Sequence, residues 1–127
     1  MIQLYVVAGP AASGKSEFSK ILSSKSGIAW LDFDDNLDEL IEANRELIKS
    51  EGMEVFLSKI RNSRYSDLVL RAMKLLRQGK SVIISAPFTS EVSSQKNWET
   101  LFAEAITEGI RPKLYWIATN PEVRRDR

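Results

Sequence analysis

The run Gly9-Pro10-Ala11-Ala12-Ser13-Gly14-Lys15-Ser16 lies directly between an apolar segment, Ile2 to Ala8, and a stretch with helical spacing. That order admits few folds. A glycine-bearing turn that leads a buried strand into a helix lets successive N–H groups, from about Ala11 to Ser16, point into one concavity, to which the helix adds its positive dipole end. The product is an anion site suited to a nucleotide's phosphates. Its expected contacts are Gly9, Ala11, Ala12, Ser13, Gly14, Lys15, Ser16 and Glu17, with Lys15 reaching the β and γ phosphates and Ser16 offering a hydroxyl to Mg²⁺.

Composition bounds the rest. The 127 residues, 43% hydrophobic and 28% charged, read as a single globular domain spanning 1–127, and a net charge of +1 provides no global field for duplex nucleic acid or an anionic membrane. Small molecules are the expected partners. There is no cysteine and no histidine, which removes disulfides, thiolate metal sites and histidine-dependent triads. Any general base working at neutral pH must then be a carboxylate. The apolar run Ile2 to Ala8 is short and lacks a basic leader, so it reads as neither signal peptide nor membrane span, and a cytoplasmic protein is expected.

Strand-like segments alternate with helical ones. Ile2–Ala8, Ile28–Leu31, Ser81–Ala86 and Lys113–Ala118 are rich in apolar and β-favouring residues, and the first and third read as strands buried on both faces. Helical period appears over Ser16–Ser24 and in three segments between residues 37 and 76, divided by Gly52 and by Asn62-Ser63. It recurs from Trp98 to Ile106. Asn120-Pro121-Glu122 opens a last helix with a cap residue, a first-turn proline and an early acid. Such alternation implies right-handed crossovers and a parallel sheet covered on both faces, an α/β architecture. Trp30, Trp98 and Trp116 fall on these periodicities and read as core, not as a base-stacking platform.

Asp32, Asp34 and Asp35 follow the second strand, at the sheet edge where an open parallel sheet binds ligands and where the glycine-bearing turn also sits. On extended backbone the i, i+2 pair Asp32 and Asp34 faces one site. Asp34 is then the candidate to take or position an acceptor hydroxyl's proton and Asp32 to support the metal, although the roles could be exchanged. The alternative for the cluster is capping of the helix that begins near Asn36, the role expected for Asp35. Arg61, Arg64 and Arg71 offer cations to an acceptor site, but helix-surface arginine is usually solvated and none of the three is singled out; Thr89, Ser93 and Ser94 read as turn or cap residues. Missing motifs narrow the class. A regulatory GTPase needs Asp-x-x-Gly, and no glycine here has an acid three residues earlier; a ring-forming ATPase needs Asp-Glu closing a core strand, whereas Ser85-Ala86-Pro87 and Ala118-Thr119-Asn120 stand at those places.

The phosphate loop, the acidic motif after the second strand and the late basic helix resemble the P-loop small-molecule and polynucleotide kinase group. Val82-Ile83-Ile84-Ser85 and Asn97-Trp98-Glu99-Thr100-Leu101-Phe102 are similar to the kinase domain of phage-type polynucleotide 5′-kinases and related AAA-like predicted kinases. The resemblance implies a three-layer P-loop NTPase fold with about four parallel strands ordered 2-3-1-4, and ATP with Mg²⁺ as cofactors. It places the catalytic base on Asp34, and by analogy with shikimate-kinase-like relatives it divides metal and substrate roles between Asp32 and Asp34. Arg124, Arg125 and Arg127 resemble the start of a lid helix, so Arg124 and Arg127 are expected to neutralise transition-state charge. The lid and fifth strand that this group carries are expected to be absent or truncated after Arg127.

The polynucleotide kinases carry an arginine shortly after the aspartate pair, where this chain has Asn36-Leu37, and an acid ending the third strand, where it has Ala86. Phosphoryl transfer from ATP to a hydroxyl of a small molecule is therefore the expected activity. The alternatives are an ATP-binding module without turnover, a polynucleotide 5′-hydroxyl kinase and a toxin-like kinase acting on a nucleotide sugar.

Overall fold

The computed structural model describes residues 2–10 and 13–117. Ala11, Ala12, the helix start at Asn120-Pro121-Glu122 and Arg124, Arg125 and Arg127 lie outside the described residues.

Four strands form one parallel sheet: β1 (Leu4–Ala8), β2 (Ala29–Asp32), β3 (Val82–Ala86) and β4 (Pro112–Trp116), in the expected order β2-β3-β1-β4. The helices are α1 (Lys15–Ser26), α2 (Leu37–Ala43), α3 (Arg45–Glu51), α4 (Met53–Arg77), α5 (Thr89–Ser93), α6 (Gln95–Leu101) and α7 (Ala103–Thr107). Register aligns the carboxyl ends of the strands, with Ala8 opposite Ala86 and Asp32 opposite Ser85. The glycine-bearing turn after β1 and the acidic segment after β2 thus emerge at one edge.

Alternation along the strands decides which layer covers which face. Leu4, Val6, Ala8, Val82, Ile84 and Ala86 join Tyr65, Leu68, Val69, Ala72, Met73 and Leu76 of α4 in one core, which Phe88, Phe102 and Ala105 complete. Each of the valine, leucine, isoleucine, phenylalanine and methionine side chains among them contributes about 1.5–3 kcal/mol when fully buried. On the opposite face α1 packs through Phe18, whose ring lies 5.4 Å from that of Tyr115. The α1 face is less well sealed.

Several sequence expectations change. The segments divided at Asn62-Ser63 form one helix of 25 residues, because both side chains are exposed and Ser63 Oγ donates to Ile60 O at 2.9 Å. A buried stripe along α4 outweighs two weak helix formers that each cost less than about 1 kcal/mol. By contrast, the segment from Leu37 to Ile48 breaks at Asn44, whose Nδ2 donates to Leu40 O at 2.8 Å and closes α2. The Trp98–Ile106 segment divides at Phe102, and a short α5 appears where only turn residues were expected. Ser94 does act as a cap, accepting from Asn97 N–H.

Trp116 is 45% exposed and Leu114 39%, so Trp116 is not core, and among the described residues β4 is not covered on both faces. Trp30 is half-buried and donates through Nε1 to Ser85 Oγ at 2.7 Å. Among the described residues, no helix is long and apolar enough to cross a membrane.

Candidate active site

The phosphate loop is shaped by backbone. A Cβ on Gly9 would lie 2.5 Å from Ile117 O and 2.7 Å from Ser13 Oγ, so only glycine lets the loop start pass the end of β4, where Ile117 N–H donates to Ala8 O at 2.8 Å. Gly14 takes φ +94° and caps α1 without any side-chain hydrogen bond. The opening amides of α1, those of Lys15, Ser16 and Glu17, stand in the first turn, where a helix supplies its N–H groups with no intrahelical partner and where its dipole is positive. Ser16 and Glu17 are exposed and Lys15 is half-buried.

One amide departs from the expectation that every N–H from Ala11 to Ser16 points inward. Ser13 N–H donates to Pro10 O at 3.2 Å, because the turn closes on itself before the helix begins. Ser13 Oγ, meanwhile, is buried without a hydrogen-bond partner. A pinched glycine, a left-handed cap, open helix amides and an orphaned hydroxyl fit a nucleotide's phosphates. Among the described residues no cluster of three or more acids could hold a metal by itself. That is compatible with Mg²⁺, which is usually held by one or two side chains and the substrate's phosphates.

The acidic segment is shaped by side chains. Extended backbone through Asp34 is what the i, i+2 spacing implies, but residues 33–36 form a turn, with Asp35 N–H donating to Asp32 O at 3.1 Å. The two carboxylates therefore take different partners. Asp32 Oδ1 accepts from Ser85 Oγ at 2.6 Å, and its Oδ2 accepts from Asp34 N–H at 3.1 Å. Asp34 Oδ1 accepts from Arg64 Nη2 at 2.8 Å. Asp35 does not cap α2: its Oδ2 reaches back to Asp32 N–H at 2.8 Å and tightens the turn, leaving Asn36 at the cap position without a side-chain bond.

Arg64 corrects the reading of the α4 arginines as solvated surface. Its side chain is 9% exposed, its guanidinium lies 3.9 Å from the Phe33 ring centroid, and Nη2 also donates to Phe33 O at 3.3 Å. Arg61 lies 4.5 Å from the Tyr65 ring centroid and pairs with Glu91, a buried carboxylate that Ser90 also contacts. Arg71 pairs with Asp67 along α4. No local signal marks Arg64, Ser85 or Glu91, since their partners lie 30, 53 and 30 residues away.

A strained turn shapes the wall opposite. Phe88 has φ +49°, the left-handed region that a bulky residue enters at a cost of roughly 1–3 kcal/mol. Complete burial of its ring, 5.1 Å from that of Tyr65, offsets the strain, and Tyr65 Oη accepts from Phe88 N–H at 2.9 Å. Burial pushes the Tyr65 hydroxyl above its ordinary pKa, opposed by the Phe88 N–H and by the positive charge of Arg61.

The chain is similar to known proteins in ways that agree with this geometry. No curated protein matches it. In fold it is similar to a crystal structure of a "putative kinase" from Chloroflexus aurantiacus, with a TM-score of 0.63 and 18% identity over 91% of this chain. It spans 59% of that chain's length. The family model described as an AAA domain matches residues 4–127. That match begins with the first residue of β1 and takes in the loop, the acidic turn and Arg64, so the chain belongs to the AAA-domain family, built on a P-loop kinase-like fold.

Proposed function

We propose that this protein transfers the γ-phosphoryl group of ATP, with Mg²⁺, to a hydroxyl of a small-molecule acceptor. The observation that carries the reading is the emergence of two dissimilar devices at one sheet edge: a backbone cradle for phosphates after β1 and a carboxylate held by a guanidinium after β2. Phosphoryl transfer asks a protein for little beyond positioning and charge. Bound Mg·ATP supplies the phosphoryl group and the metal that neutralises its oxygens.

In this reading the chain's own residues divide the work. Gly9, Ser13 and Gly14, with Ala11 and Ala12, shape the cradle; Lys15 draws the terminal phosphates and Ser16 with Asp32 holds the metal. Arg64 and the Asp34 N–H bond to Asp32 fix the acidic turn, so that the Asp34 carboxylate can accept the acceptor hydroxyl's proton. Arg124 and Arg127 are assigned the neutralising role that this kind of site requires. A net charge of +1 favours a small acceptor over nucleic acid.

A panel of hydroxyl-bearing metabolites, followed by ADP release and by mass of the phosphorylated product, tests the proposal. Turnover that depends on Lys15 and Asp34 supports it. Nucleotide binding with no product from any member of the panel favours the non-catalytic ATP-binding module, whose motive is the absence of an acid at the end of β3.

A further inference from the structure

We propose that the hollow between the turn after β2, α4 and the β3–α5 connection binds the acceptor, and that this acceptor joins an anionic group, phosphate or carboxylate, to a flat apolar part. The inference deepens the phosphotransfer reading and rests on it only for the role of the bound molecule.

The hollow has a volume of about 380 Å³, within the range of small-ligand sites. Its apolar walls are Phe33, Leu57, Tyr65 and Pro87, and Arg61 and Arg64 enter beside them. Rings and guanidinia alternate. Arg64 lies over Phe33, Phe33 lies 4.4 Å from Tyr65 between centroids, and Arg61 lies over Tyr65. Flat apolar surface of this kind suits a ring or another planar group.

The two cations differ in what they have left to offer. Arg61 is neutralised by the buried Glu91, whose two oxygens accept at 3.2 and 3.4 Å. Arg64 has Asp34 as its anionic partner, and that carboxylate is 64% exposed on a surface turn. Arg64 Nε is buried with no hydrogen-bond partner. An unpartnered donor on a charged group nine-tenths removed from water is costly, and an oxyanion beside it would remove that cost. The Nε and Nη edge of a guanidinium matches a carboxylate or phosphate with two parallel bonds. Since Arg64 already touches Asp34, an anionic group seated there brings the rest of the acceptor next to the proposed base.

Phenyl phosphate is a suitable probe, with phenol and inorganic phosphate as its two halves. Isothermal titration with the phosphate loop saturated by a non-hydrolysable Mg·ATP analogue should show phenyl phosphate binding at least tenfold tighter than either half. Arg64→Gln should weaken it by tenfold or more, and Arg64→Lys, which keeps the charge but loses the fork, by several-fold. Ser58 lies exposed on the rim, so Ser58→Glu should also weaken binding several-fold without disturbing the core; it serves as the test if circular dichroism shows that the Arg64 variants are unfolded. No binding of phenyl phosphate, equal binding of phenol, or indifference to Arg64 and Ser58 would each overturn the proposal. A separate titration with Mg·ATP alone distinguishes this failure from failure of the phosphotransfer reading.

Discussion

The two halves of the candidate site are made of different material. After β1 the chain builds its cradle from backbone: a glycine pinched against Ile117 O, a left-handed glycine cap and the open amides of a helix. After β2 it builds from side chains recruited across the fold, Ser85 from β3 and Arg64 from α4, which hold Asp32 and Asp34. The difference teaches that substitutions should act by different routes. The cradle is sensitive to any added atom, whatever its charge, whereas the acidic turn is sensitive to charge and hydrogen bonding at nearly constant volume.

The largest effect expected on this contrast comes from Asp34→Asn, which keeps the shape and removes the carboxylate's basicity. Turnover should fall by roughly 10²–10⁴-fold while Mg·ATP affinity holds, as measured by single-turnover rates beside calorimetry. Equal loss of both would merge the two halves.

Gly9→Ala probes the other half with one methyl group. Its Cβ would meet backbone at 2.5 Å, so the loop must shift, at a cost of about 1–3 kcal/mol. Nucleotide affinity should drop accordingly, with phenyl phosphate binding by the same variant unchanged.

Tyr65→Phe removes one oxygen from the wall beneath the acidic half and leaves the Phe88 N–H buried without its acceptor. Chemical denaturation should show a loss of about 1–3 kcal/mol. The parent should also lose stability as pH rises from about 10 towards the raised value of the folded Tyr65, because the unfolded chain ionises first there. Tyr65→Phe should lack that part of the alkaline decline.

The smallest effect belongs to Glu108→Gln, far from both halves. Arg77 holds the Glu108 carboxyl below its ordinary pKa, so the contribution is present above the unfolded value near 4.5 and fades as pH falls through the lower folded value. Both groups are exposed and screened by water, so melts of the two proteins at neutral pH should nearly coincide.

The same contrast explains how much was legible in the sequence. The cradle could be read because its requirements are local: glycines, a lysine and a serine at fixed spacing between a buried strand and a helix. Strand positions followed from continuous apolar runs, and family resemblance supplied the order 2-3-1-4. The acidic turn could be located but not resolved. Whether Asp35 caps α2 or turns back to Asp32, and whether Arg64 is solvated or stacked on Phe33, depends on contacts across 30 or more residues that no local spacing encodes. Likewise the continuity of α4 through Asn62-Ser63 was decided by its buried stripe, and the exposure of Trp116 by its place on β4.

Calorimetric titration of Mg·ATP into the parent protein and into Lys15→Ala shows whether the turn after β1 holds a nucleotide. Saturable binding is expected at one site per chain, weakened at least tenfold in Lys15→Ala, with Asp34→Asn indistinguishable from the parent. Absence of heat from the parent, or equal binding by Lys15→Ala, would contradict it.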